Sequence, residues 1–341
     1  MWIIGCDYHP RFQQIAFVNT EGGECGQRRL EHVEEAEQFY RSLAGQAVRV
    51  GVEASGPMRW FERLLAELGQ ELWIGNPAAI RAAEPRKQKT DARDAELLLR
   101  LLLDGGFEKL RIWVPSAEER EVRQLVLHRH RLVQMRTRVK NQLRALALNE
   151  GVGRKPGLWS RKGQAQFRAL PLPAWSARRR QDNLELLQEL VRRTDPLDQA
   201  VEQEAARRPQ VARLRTHPGV GAITGLAFVL TLGDPTRFRC GKQVASYLGL
   251  IPAENSSGGR QRLGHITKQG NALLRGLLVE AAHTAVRSDP ELGRCYRRLA
   301  MKKNRSIAIV AVARKLAVRL WWMWIRGLDY GQFRESGSHA G

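Results

Sequence analysis

The chain has 341 residues, with 56 Lys and Arg against 35 Asp and Glu, a formal net charge of +21 and an isoelectric point near 10.8. That length suffices for two or three domains with cores of their own. The charge implies a polyanionic partner, since basic side chains on phosphates gain from counterion release, and leaves a membrane surface as the weaker competitor. The most apolar stretch, Ile307–Ile325, is broken by Arg314, Lys315 and Arg319, which excludes a spanning helix. No basic segment follows Met1, so no signal peptide is expected, and Cys6, Cys25, Cys240 and Cys295 lack metal-ligand spacing, so reduced thiols in the cytoplasm are expected.

In chain order, the apolar run Trp2–Cys6 predicts a strand ending at Asp7, followed by strands near 13–19 and 26–31 and an amphipathic helix near 33–44. Val48–Val52 predicts a fourth strand ending at Glu53, then come a helix near 58–68, a short strand Glu71–Ile74 and a helix from about Asp91. Three strands and then alternating helices and strands suit an α/β ribonuclease-H-like (RuvC-like) domain over residues 1–110. There strands 1 and 4 lie side by side, so Asp7 and Glu53 share one end of the sheet, and the late helix brings Asp91 and Asp94 against it. Carboxylates so gathered repel one another unless a hard divalent cation offsets their charge, which points to metal-assisted phosphoryl chemistry. The competing reading is that these are exposed strand-end acids and first-turn helix acids favoured by the macrodipole. A sugar-kinase-like ATPase shares the strand order, but His9-Pro10-Arg11 stands where its Gly-rich phosphate loop belongs.

Charge then separates the chain. Residues 1–110 hold 14 Lys and Arg against 17 Asp and Glu, which leaves 42 against 18 for residues 111–341. After a break near 105–116, the pattern predicts a long basic helix from Ala117 to Asn149, read as a nucleic-acid rail or a solvated face. Gly151–Arg180 reads as an irregular connector. A helix over about Asp182–Arg208, broken at Pro196, is expected to pair antiparallel with the first as a helical coiled-coil arm, 111–208, able to hold two subunits together. The mainly α region 209–341 opens with His217-Pro218-Gly219-Val220-Gly221. This reads either as the hairpin of a helix-hairpin-helix motif, with Gly219 and Gly221 letting backbone N–H groups approach a phosphate, or as a tight turn between packed helices. Further on, residues 255–270 form a polar, basic, Gly-rich loop. The closing helix, Ser306–Trp324, carries Trp321, Trp322 and Trp324, which serve either as core or as stacking platforms for unpaired bases.

With Gly5-Cys6-Asp7-Tyr8, Val52-Glu53-Ala54-Ser55-Gly56, Lys89-Thr90-Asp91-Ala92-Arg93-Asp94-Ala95 and Ser257-Gly258…Gly264-His265-Ile266-Thr267-Lys268-Gln269-Gly270-Asn271 in one order, nearly the whole chain resembles a known family. It is similar to the insertion-sequence transposases that join a RuvC-like DEDD domain to a C-terminal serine-bearing transposase domain, the bridge-RNA-guided recombinases. The resemblance implies a recombinase that cuts and rejoins donor and target DNA through a phosphoserine link, guided by a non-coding bridge RNA from the element's own end. By similarity, Asp7, Glu53, Asp91 and Asp94 bind Mg²⁺. The serine is Ser256 by the spacing back from Thr267-Lys268, or Ser257 by the rule that the serine directly precedes glycine; the spacing is slightly preferred. The family also implies a dimer or tetramer whose DEDD and serine parts meet across protomers, with Arg260, Arg262 and Lys268 on the scissile phosphate, unless these are solvated loop charges. Two alternatives from other classes stand beside this reading. One is a RuvC-like metal-dependent endonuclease or junction resolvase that uses water; the other is a non-catalytic nucleic-acid-binding protein.

Overall fold

A continuous apolar run builds the buried strand β1 (Trp2–Tyr8), which is followed by β2 (Phe12–Asn19) and the largely exposed β3 (Cys25–Glu31). The computed structural model describes residues 1–56, 58–83, 90–152, 157–256, 260 and 262–336. Helix α1 (Glu34–Ser42) leads to β4 (Val48–Glu53), α2 (Arg59–Glu67) and β5 (Glu71–Gly75). Then follow α3 (Pro77–Ala83), α4 (Asp91–Leu103) and a 3-10 turn at Gly106–Leu110. The sheet order is β3-β2-β1-β4-β5; β1 runs antiparallel to β2 and parallel to β4, which is parallel to β5. Residues 1–114 form one compact unit and 115–341 a second. In the first, a mixed sheet carries α1 and α2 on one face and α4 on the other.

In the second unit, α5 (Ala117–Asn149) starts on a capping box in which Ser116 and Glu119 each bond the other's backbone N–H. Helix α6 (Arg161–Ala169) follows, N-capped by Ser160, and then α7 (Ala174–Ala206). The 151–180 stretch is therefore no irregular connector: it contains α6 and the first turns of α7. Nor does Pro196 break the helix, although a proline there removes a backbone hydrogen bond at a cost of about 3 kcal/mol. Buried Leu190, Thr194, Val201 and Ala205 flank it along the seam with α5, and continuous burial outweighs one lost bond. The two long helices run antiparallel, with Arg129 paired to Asp198 at 2.6 Å.

The remaining elements are α8 (Pro209–Arg215), α9 (Ala222–Leu232), α10 (Gly241–Tyr247), the hairpin β6 (Pro252–Glu254) and β7 (Leu263–Ile266), α11 (Ala272–Ser288), α12 (Pro290–Lys302), α13 (Arg305–Arg326) and α14 (Tyr330–Glu335). Ten residues of α9 are buried, as befits a helix apolar on every side at the centre of a helical cluster. Trp321 is buried and its Nε1 donates to the Pro235 carbonyl at 2.9 Å, while Trp322 and Trp324 pack against the same core. Trp321 is thus core, not a stacking platform. Among the described residues no helix is long and apolar enough to cross a membrane.

Candidate metal centre and serine hairpin

Strand alternation sorts the acids. In β1, Ile4, Cys6 and Tyr8 join the core beneath α1 and α2, and Ile3 joins the core beneath α4. By the period of two, Gly5 and Asp7 share the α4 face with Ile3. The same holds in β4, where Val48, Val50 and Val52 face the first core and Gly51 and Glu53 the α4 side. The parallel register sets Cys6 beside Val52, so Asp7 and Glu53 are the next residue of each strand, on one face and at one end of the sheet.

Glycine lets α4 come that close. A Cβ on Gly5 would fall 2.2 Å from the Ala95 carbonyl oxygen and 2.3 Å from the Leu99 nitrogen, and one on Gly51 would lie 2.7 Å from Leu102 Cδ1. At Gly5 backbone therefore rests on backbone, Gly51 makes room for the Leu102 side chain, and the first turn of α4 is held against the strand ends. Thr90 caps this helix by accepting from the Arg93 N–H at 3.4 Å, which leaves Asp91 and Asp94 three apart on the same turn.

His9, in the turn after β1, approaches both aspartates: its Nε2 lies 3.1 Å from Asp7 Oδ2 and 3.6 Å from Asp91 Oδ1. One ligand atom from each of Asp7, His9 and Asp91 fits within 4.8 Å. The Asp7 carboxyl is shifted up, first by burial and also by the negative charges of Asp94 and Asp91, while His9 pulls it down. Two carboxylate oxygens and an imidazole nitrogen make a donor set suited to a divalent cation. Asp94 is near enough to act on Asp7 through its charge; Glu53 sits at the neighbouring strand end, outside this three-residue cluster. Sequence reasoning passed over His9 as a member of this cluster. Its signal was position, two residues beyond the acid that ends β1.

In the second unit, the turn after α10 and the segment after β7 run backbone to backbone. A Cβ on Gly249 would meet the Gln269 carbonyl oxygen at 2.3 Å, and one on Gly270 the Tyr247 carbonyl oxygen at 2.3 Å. Arg275 ties both strands of chain by donating to the Leu248 and Gln269 carbonyls. Between them Lys268 adopts φ +56°, the one non-glycine among the described residues in the left-handed region. Such strain persists only where the surroundings over-determine the backbone. Above this base, β6 and β7 pair with Glu254 opposite Leu263. Ser256 follows, its Oγ donating to Glu254 Oε1 at 2.7 Å and accepting from the Arg262 backbone N–H at 3.1 Å. Arg260, Arg262 and Lys268 are exposed. Ser257 lies outside the described residues.

The 216–221 turn divides its two glycines. Gly219 has φ +89° and its Cβ would lie 2.3 Å from the Ala281 carbonyl oxygen, so packing of the turn on α11 accounts for this glycine. Gly221 caps α9 with open space around it. Beside the turn, a buried lock joins α12, α13 and α14: Arg319 pairs with Asp289 at 2.7 Å, and the Tyr330 hydroxyl donates to Asp289 at 2.8 Å. His217 is buried next to it, its pKa lowered to about 4 chiefly by burial.

Residues 4–150 match the family model of transposases with the DEDD domain of the IS110 type, and residues 211–297 match that of the transposase IS116/IS110/IS902 family. A "Probable family 20 transposase" of Pseudomonas aeruginosa is 29% identical over 96% of this chain and 98% of its own length. The transposase for insertion sequence element IS1111A of Coxiella burnetii is 25% identical over 96% of this chain and 91% of its own. The transposase for insertion sequence element IS1328 of Yersinia enterocolitica is 26% identical over 83% and 85%. With one family model on the acidic corner and the other on the serine hairpin, the chain belongs to the IS110/IS116/IS902 transposases, enzymes with an N-terminal DEDD domain.

Proposed function

We propose that this transposase is an RNA-guided DNA recombinase that cuts and rejoins strands through a phosphoserine intermediate, with Ser256 as nucleophile. The observation that carries the reading is the held hydroxyl of Ser256 on the basic hairpin, within a chain that also gathers Asp7 and Asp91 at one end of its N-terminal sheet. The strand order supports a ribonuclease-H-like DEDD domain over residues 1–110; on this reading 111–208 is an arm and 209–341 a serine domain.

Asp7, Asp91 and Asp94, with Glu53 at the adjacent strand end, would hold Mg²⁺. Bound there, the ion supplies a Lewis acid for a phosphoryl oxygen. His9 orients the two aspartates through its imidazole. Arg260, Arg262 and Lys268 neutralise the scissile phosphate, and Gly221 leaves room for a second phosphate at the start of α9. Donor and target DNA and a bridge RNA are the partners, with pairing of the α5–α7 arms making a dimer or tetramer in the cytoplasm. The net charge of residues 111–341 supports the nucleic-acid partners.

The test is covalent capture. Protein, RNA transcribed from the element's flank and an end-labelled duplex spanning the element's joined ends are incubated with Mg²⁺ and denatured. Label should stay on the wild-type protein and be absent from Ser256→Ala. Cleavage without any adduct would replace the recombinase reading by a RuvC-like nuclease that uses water.

A further inference from the structure

We propose that Glu254 is the general base that activates Ser256, and the proposal rests on the reading of Ser256 as nucleophile. A serine hydroxyl is a poor nucleophile until a neighbouring group takes its proton. Glu254 ends the strand β6 and Ser256 follows two residues on, where the Asn255 N–H still bonds the Arg262 carbonyl across the hairpin at 3.0 Å and holds the two side chains together. The outcome is a 2.7 Å bond with the hydroxyl as donor and the carboxylate as acceptor. On its other side Oγ accepts the Arg262 backbone N–H at 3.1 Å. That N–H remains in place as charge develops on the oxygen, so one contact removes the proton and the other stabilises what is left.

The step balances without any further reagent but water. As the bond from Ser256 Oγ to phosphorus forms, the Oγ proton passes to the Glu254 carboxylate. The bond from phosphorus to one deoxyribose oxygen breaks, and that oxygen leaves with the electron pair and takes a proton from water. Rejoining reverses each event: the sugar hydroxyl attacks phosphorus, and the departing Oγ recovers its proton from the Glu254 carboxylic acid. The same residue thus serves both directions, which a strand-exchange enzyme requires.

A structural hydrogen bond and a base are separable by chemistry. Glu254→Gln keeps an acceptor for the Ser256 hydroxyl and cannot take its proton. With the flank RNA, the joined-end duplex and Mg²⁺, adduct formation in Glu254→Gln should slow by about 10²- to 10⁴-fold, the usual worth of a positioned base. Duplex affinity and melting temperature should match wild type. Glu254→Ala should be equally slow and should recover in part when formate is added, because a small carboxylate can enter the vacated space; wild type should not respond. Adduct formation in Glu254→Gln at the wild-type rate, with Ser256→Ala inert, would overturn the base while leaving the nucleophile intact. A Glu254→Ala variant that melts early and ignores formate would make Glu254 structural and overturn it too. An undiminished adduct in Ser256→Ala would remove the nucleophile, and the base with it.

Discussion

In residues 1–114 the acids sit where backbone meets backbone: Gly5 lets α4 lie on β1, and Asp7 and Asp91 approach the same imidazole as a result. In residues 115–341 Ser256 stands on an exposed two-stranded hairpin, and the tight packing lies beneath it, where Gly249 and Gly270 hold the base of the loop. The first region places charge by burying the elements that carry it. The second keeps a serine hydroxyl and three cations in solvent and rigidifies only their foundation. A metal corner needs fixed ligand spacing, whereas a surface that must admit a polyanion needs access.

The largest effect is expected at the acidic corner. Asp7→Asn and Glu53→Gln remove charge without volume, so strand cleavage should fall by at least about 10³-fold while folding and duplex binding stay near wild type. Cleavage in Mg²⁺ at the wild-type rate by either variant would detach these acids from the chemistry. Gly5→Ala probes the scaffold instead: the added Cβ meets the Ala95 carbonyl and Leu99 nitrogen, backbone atoms that cannot step aside. A loss of about 3 kcal/mol in the unfolding of residues 1–114 is expected from such overpacking, read by urea denaturation. An unchanged midpoint would show that α4 does not rest on this glycine.

The second region should reveal its buried foundation through pH. Burial lowers the His217 pKa from 6.5 to about 4, so the imidazole is neutral in the fold and gains a proton on unfolding. Stability present above pH 6.5 is therefore lost as pH falls toward 4, at about 1.4 kcal/mol per pH unit from this group. Unfolding midpoints of wild type and His217→Gln between pH 7 and 4.5 check this, and the variant should show the flatter profile. Equal slopes would exclude His217 as the source. The smallest effect concerns Lys268. Lys268→Gly relieves left-handed strain worth about 1 kcal/mol and should raise stability slightly. Duplex affinity should fall, with the salt dependence reduced by about one phosphate contact. A destabilised variant with intact affinity would reverse both assignments.

Much of the first region was legible because its signals are periodic. The apolar runs that end in Asp7 and Glu53 and the spacing of Asp91 and Asp94 follow from strand and helix geometry alone. His9 was not legible as part of the acidic cluster, since a histidine in a turn has no period and its relation to Asp91 exists only once α4 is docked. The second region was harder. Pro196 read as a break because the seam that overrides it, Leu190 through Ala205, depends on a helix some 60 residues earlier. α6 was missed in a stretch rich in Gly, Pro and Trp, where the Ser160 cap was the surviving local sign. Arg319 read as a charge that interrupts an apolar run, and only the fold supplies Asp289 as its partner. Ser256 and Ser257 were legible as candidates by resemblance; the carboxylate and N–H on the Ser256 hydroxyl were not.

Under the proposed function, the covalent chemistry belongs to the hairpin and the metal chemistry to the acidic corner. The direct measurement is to trap the protein–DNA adduct, digest the DNA to a nucleotide remnant, cleave with trypsin and map the modified residue by mass spectrometry. Cleavage after Lys242 and Arg260 releases Gln243–Arg260, which holds Ser246, Ser256 and Ser257. Fragmentation should place the remnant on Ser256. A remnant on Ser257 would move the nucleophile off Ser256 and withdraw Glu254 as its base, and one on any residue of 1–114, or no remnant under conditions that cut DNA, would contradict the division of labour between the two regions.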